Sequence, residues 1–229
     1  MKCLAIDSSC SKMILASRNG PRTVTLSLDI GMKQSERILP SIDYVLSQND
    51  LSSSDLDCSV LCSGPGSFTG LRLAFSALKA IEMAHGIPVY GVPTLDCIAF
   101  PYRTADFTVL PLIDAKKNRF YAAVYTQKEE LLPPGDYEPA EICAAAATAA
   151  AANRTVLLCG PGKEAFTAAL AALPAHPPLS LTEFKGSAAT TDALFAFAEK
   201  ALQEGTAPLK DFEGPVYLRA SEAEVKTGA

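Results

Sequence analysis

Histidine is scarce in this chain. Only His85 and His176 occur in 229 residues, and no HxxxH or HExxH spacing sets two imidazoles on one helix face, so a helix-borne two-histidine metal centre is excluded. Lysine and arginine form no cluster and the formal net charge is −5, which excludes a stand-alone grip on nucleic acid, since that needs a basic face to neutralise phosphates. The seven cysteines, Cys3, Cys10, Cys58, Cys62, Cys97, Cys143 and Cys159, form no CxxC pair. Their odd number and apolar surroundings point to reduced, buried thiols. No run of about 18 apolar residues is available to span a bilayer, and the apolar run from Met1 to Asp7 is too short for a secretory signal. The expected location is the cytoplasm.

What is present is a core-forming composition, 48% hydrophobic, with one conspicuous loop. Gly64-Pro65-Gly66-Ser67-Phe68-Thr69-Gly70-Leu71-Arg72 turns from an apolar strand into a periodic apolar segment, and its glycines permit close backbone approach. Gly70 is followed by Leu71 and Arg72, so the loop lacks the lysine and hydroxyl of a Walker loop. Ser67 lacks the flanking glycines of a nucleophile elbow. No nucleophile–base pair is signalled elsewhere.

Strands are predicted over Lys2–Ile6, Lys12–Ser17 and Thr23–Leu28, with Asn19-Gly20 as a hairpin turn. Ile38, Leu39, Ile42, Val45 and Leu46 recur at helical spacing between Gln34 and Gln48, with Pro40 marking a kink or a short lead-in. Cys58–Cys62 reads as a strand. The helix after it is capped by Ser67, carries Leu71, Ala74, Phe75, Leu78 and Ile81 on one face, and ends at His85-Gly86. Val89–Val92 is a further strand and Thr94–Ala99 a short helix. A second unit starts near Pro101 with a hairpin, Val109–Ile113 and Phe120–Tyr125. Pro133–Pro139 reads as a surface loop and the alanine run 144–152 as an exposed or partly packed helix. Thr155–Cys159 is a strand, Lys163–Leu173 and Thr191–Glu204 are helices, and Pro215–Arg219 is a final short element. Two similar halves, each opening with strands and a hairpin, give a two-lobed α/β protein with lobes at 1–100 and 101–229.

Five pieces together resemble one family: Leu4-Ala5-Ile6-Asp7-Ser8-Ser9, Ser35-Glu36-Arg37-Ile38-Leu39-Pro40, Gly64 to Arg72, Ile113-Asp114-Ala115 with Phe120-Tyr121, and the ending Pro215-Val216-Tyr217-Leu218-Arg219. They resemble the TsaB/YeaZ family, needed to make threonylcarbamoyladenosine at position 37 of tRNA. The resemblance implies the actin/sugar-kinase/Hsp70-like (ASKHA) fold with a reduced C-terminal lobe. It also implies a non-catalytic subunit without cofactor or metal, partnered with the catalytic relative TsaD and joined by TsaE with ATP, touching tRNA only indirectly. Many members of the family carry histidine where this chain has Gln34.

The expected partner surface comprises Ile38, Ile42 and Val45 on the first helix and Leu71, Ala74, Phe75, Ala77 and Leu78 on the second, with self-pairing through the same surface when the partner is absent. Asp7 and Asp114 stand where nucleotide-hydrolysing relatives keep Mg-directed carboxylates. With Gly66, Thr69 and Gly70 they are the candidate cofactor-binding residues of an alternative reading, an ATP-dependent small-molecule kinase of the same fold. Otherwise each aspartate caps its own turn through Asx hydrogen bonds.

Overall fold

The computed structural model describes residues 1–104, 106–150, 155–183 and 190–219. The chain divides into two compact units, Met1–Cys97 with Ala189–Tyr217, and Ile98–Ala188 with Leu218–Ala229. The first unit is built on β1 (Lys2–Asp7), β2 (Lys12–Asn19), β3 (Arg22–Asp29), β4 (Cys58–Gly64) and β5 (Val89–Pro93), in the order β3-β2-β1-β4-β5. The first three strands form an antiparallel meander, and β4 and β5 add in parallel.

Side-chain alternation sorts the two faces of this sheet. Leu4, Ile6, Met13 and Leu15 point into a core with helices α1 (Gln34–Ser47) and α2 (Phe68–His85). The intervening Cys3, Ala5, Ala16, Cys58, Val60 and Cys62 line the other face. Burial on both faces explains why β1 and β4 read as continuous apolar runs rather than alternating ones.

Helix α1 runs without interruption through Pro40. The N–H that proline lacks leaves the Glu36 carbonyl unbonded, and both residues lie on the exposed side of the helix, where water satisfies it. Helix α2 starts where expected, with the Ser67 side chain accepting from the Gly70 N–H at 3.2 Å, and stops at Gly86 in the left-handed conformation, φ 70°.

After the short α3 (Thr94–Ala99), the second unit repeats the plan: β6 (Thr108–Asp114), β7 (Phe120–Tyr125), β8 (Glu130–Tyr137), β9 (Val156–Cys159) and β10 (Leu181–Glu183), ordered β10-β9-β6-β7-β8. Helices α4 (Pro139–Ala150) and α5 (Lys163–Ala171) supply Ile142, Cys143, Ala146, Phe166 and Leu170 to its core, where Phe120 and Phe166 meet edge to face at 5.4 Å. Both halves place their first strand in the middle, pair it antiparallel with the second and parallel with the fourth. This is the duplicated α/β fold of the actin/sugar-kinase/Hsp70 class.

Three expectations are corrected. Pro133–Pro139 is not a loop: its first five residues belong to β8, the edge of the second sheet, where register shifts around Ala122 and Val124 accommodate the prolines. The segment Ala189–Tyr217 returns to the first unit instead of completing the second, because α6 (Thr190–Glu204) buries Ala193, Leu194, Phe195 and Ala198 on the small-residue face of the first sheet. Pro215–Arg219 is irregular, held by the Val216 N–H on the Ser63 carbonyl at 2.7 Å. Within the alanine run, Ala146 is fully buried while 151 and 152 lie outside the described residues. Among the described residues no helix is long and apolar enough to cross a membrane.

Candidate functional site

The glycine loop packs on the chain's own backbone. The Ser67 N–H donates to the Ser9 carbonyl at 2.6 Å, and the Ser8 hydroxyl donates to the Gly70 carbonyl at 2.7 Å. A Cβ on Gly66 would collide with the Ser9 carbonyl oxygen, and one on Gly70 with that of Ser8. Gly66 and Gly70 therefore serve a close approach between the turn after β1 and the start of α2. Gln34, buried at the head of α1, joins the same knot by donating to the carbonyls of Cys10 at 2.9 Å and Ser11 at 3.3 Å. Thr69 and Gly70 border a recess of about 230 Å³ shared with Cys10, Ser11, Gly31, Gln34 and Ser67. Burial, the Asp7 charge and a hydrogen bond with Ser9 combine to set the Cys10 thiol; the first two prevail and push it up to about 12, so it stays protonated.

The two candidate carboxylates are each engaged in their own unit. Asp7 is buried, with Oδ1 accepting from the Ser9 N–H at 3.0 Å and the Ser9 hydroxyl at 2.6 Å, and Oδ2 accepting from the Thr190 hydroxyl at 2.6 Å. Asp114 Oδ1 accepts from the Lys116 N–H at 2.8 Å, and Oδ2 pairs with Lys116 Nζ at 2.7 Å. Burial pulls the Asp114 carboxyl upward, but the hydrogen bonds and charge of Lys116 outweigh it and hold the group below its ordinary range. Both aspartates thus make the same Asx turn at the same point of the repeated plan. Its loop carries three consecutive left-handed residues, Lys116, Lys117 and Asn118.

The eight residues expected to meet a partner lie inside the monomer. Ile38, Ile42, Val45, Leu71, Ala74, Phe75, Ala77 and Leu78 are all buried, the most exposed being Ala77 at 7%. The stripe that packs on the sheet is the one that the apolar periodicity picks out. The outward stripes of the adjacent α1 and α2 are different. Leu39 is 60% and Tyr44 50% exposed on the first, and Met83 is 88% exposed on the second, in line with exposed Ser76 and Ala80. On α2 the large Met83 stands on the same helix face as the small Ser76 and Ala80.

Sequence reasoning also missed a cluster at the head of α2. Arg72 lies 3.7 Å over the Phe68 ring and donates from Nε to the Tyr217 hydroxyl at 3.0 Å, while the Phe68 and Tyr217 rings stand 4.8 Å apart. The histidines sit in ordinary surroundings, His85 with Ser53 and His176 with the Pro177 carbonyl. Among the described residues no group of three His, Cys, Asp or Glu side chains is placed to hold a metal.

Comparison with known proteins sets this geometry in context. The model of the family "TsaD: tRNA N6-adenosine threonylcarbamoyltransferase" matches residues 31–134. The tRNA threonylcarbamoyladenosine biosynthesis protein TsaB of Bacillus subtilis is 29% identical over 133 residues, 58% of each chain. The TsaB protein of Escherichia coli is 31% identical over 132 residues, 56% of this chain and 57% of that protein. The chain thus spans less than two thirds of the length of these curated relatives. YeaZ from Pseudomonas aeruginosa superposes with a TM-score of 0.73 at 23% identity, over 95% of this chain and 99% of that one, and shares the fold. In sequence the chain is similar to TsaB proteins over a little more than half of its length, and in fold it is similar to YeaZ.

Proposed function

We propose that this protein is a non-catalytic subunit in the formation of N6-threonylcarbamoyladenosine at position 37 of tRNA, binding TsaD through the outward stripes of α1 and α2. The observation that carries the reading is the exposed stripe of Ser76, Ala80 and Met83 on α2, packed beside α1 with its exposed Leu39 and Tyr44. A helix pair of TsaD laid on this face would bury apolar surface around small residues, with the rim polar at Arg37, Asp43 and Lys79. Docking acts by differential affinity: it favours the arrangement of TsaD that is competent for transfer, and so shifts its population. TsaE with ATP then acts on the pair. With net charge −5 and no basic cluster, this chain leaves tRNA to its partners.

The kinase alternative draws no support from the site. Asp7 and Asp114 spend their carboxylate oxygens on Ser9, Thr190 and Lys116, and the glycines accommodate Ser8 and Ser9. The two readings separate by reconstitution with TsaD from the same source. Threonylcarbamoyladenosine formation should require this chain, and the chain alone should not turn over Mg-ATP. Turnover by the isolated chain would overturn the proposal in favour of the kinase.

A further inference from the structure

The glycine loop and the segment Pro215-Val216-Tyr217 lie far apart in sequence and meet at one side chain. Arg72, near the start of α2, lays its guanidinium 3.7 Å over the Phe68 ring and donates from Nε to the hydroxyl of Tyr217, 145 residues away, at 3.0 Å. Tyr217 is fixed in turn. The Val216 N–H donates to the Ser63 carbonyl at 2.7 Å, a Cβ on Gly64 would collide with the Val216 carbonyl oxygen, and the Phe68 and Tyr217 rings pack at 4.8 Å. Farther back in the same segment, the Leu209 N–H donates to the Val89 carbonyl at 2.8 Å and the Leu209 carbonyl accepts from Lys79 Nζ at 3.0 Å. The returning chain is strapped to α2 at two points, and one of them steadies the arginine.

An arginine held this way is organised before any partner arrives. Stacking on Phe68 fixes the guanidinium plane, and the bond from Nε occupies the side edge of the group, so the end edge with Nη1 and Nη2 remains to offer two parallel N–H donors. Arg72 is exposed, and among the described residues no carboxylate pairs with it, although the chain carries a net charge of −5. Its place on the helix gives this free edge a direction. Arg72, Ser76, Ala80 and Met83 follow one another at helical spacing, so the arginine heads the outward stripe of α2. A helix docked on that stripe takes the guanidinium out of water, and a charge buried there without an acceptor would oppose the binding.

We infer that Arg72 is a specificity-determining residue of the helical face, closing an end-on, two-point ion pair with a carboxylate carried by the docking helices of TsaD. The inference rests on the reading of that face given above. A carboxylate satisfies both Nη groups at once and fits the planar fork in one orientation, so the pair sets the register in which the partner lies along α2. Lysine would supply a point charge with neither the plane nor the stacking. Tyr217 acts through Arg72 as a positioning residue.

The test is calorimetric titration of TsaD from the same source with the full chain and its variants, each first shown to be folded by circular dichroism. Arg72→Ala and Arg72→Lys should each bind at least about tenfold more weakly than wild type. Wild-type affinity should fall more steeply with added salt than that of Arg72→Ala. Tyr217→Phe keeps the ring and releases the guanidinium, so its loss should be smaller, about two- to fivefold. Arg72→Glu should not bind, and a single Asp→Lys or Glu→Lys change on the docking helices of TsaD should restore it. Ala80→Glu reports on the face itself. Loss of binding in Ala80→Glu with undiminished binding by Arg72→Ala and Arg72→Glu would overturn the inference and leave the helical face standing, whereas undiminished binding by all three would count against both. Arg72→Lys binding like wild type would overturn the two-point pair. Weaker tRNA binding by the Arg72→Ala complex, with TsaD affinity unchanged, would assign the fork to phosphate and overturn the inference as well.

Discussion

Thr190 Oγ1 donates to Asp7 Oδ2 at 2.6 Å, tying the first residue of α6 to the last residue of β1, a strand of the sheet on which α6 packs. The bond leaves a buried carboxylate oxygen satisfied beside the positive end of a helix dipole. Thr190→Val keeps the shape and removes the donor. It should lower unfolding free energy by about 1–3 kcal/mol, read by urea denaturation, with TsaD affinity unchanged. A variant of wild-type stability would mean that Asp7 is not anchored by α6.

Gly70 supplies a second prediction. Its Cα packs against the Ser8 carbonyl, where a methyl group has no room. Gly70→Ala should cost about 1–3 kcal/mol by forcing the β1 turn and α2 apart. Gly86→Ala should act through a different cause, since nothing lies near that position but its φ is 70°. Thermal melts of the two variants separate crowding from backbone strain, because Gly86→Asn should recover stability and Gly70→Asn should not.

The acid limb of stability carries a contribution from Asp114. Its folded-state carboxyl lies below the ordinary value of 3.8, so the stabilisation is present above the unfolded value and is lost as pH falls through the folded one. Asp114→Asn should therefore be less stable than wild type near neutrality and indistinguishable from it below both values. Lys116 is 80% exposed, so the difference should be small and should shrink with added salt. A gap that widened toward acid would contradict the assignment.

Much of the fold could be read from residue periodicity. Alternation marked β3, continuous apolar runs marked β2 and β4, and Ser67 and Gly86 bounded α2 because capping is a local interaction. Strand β8 escaped because prolines suppress the strand signal at an edge that tolerates them, and β10 is too short to carry a period. The site was less legible. Apolar spacing on α1 and α2 identifies the stripe that packs inward, which is why Ile38 and Ala77 emerged in place of Leu39 and Ala80. The Thr190–Asp7 bond joins residues 183 apart, and no local pattern encodes it.

Ala77 and Ala80 are neighbours on α2 with opposite environments, one 7% exposed and the other facing solvent. Ala77→Glu would bury an unpaired charge and should destabilise the monomer itself by several kcal/mol, about 3–5. Ala80→Glu should leave folding intact. The most direct measurement is calorimetric titration of TsaD from the same source with wild-type chain and with Ala80→Glu, each first verified as folded by circular dichroism. Binding by the wild type, and loss of at least about tenfold in affinity for the variant, is the predicted result; equal affinities, or no binding by either protein, would contradict it.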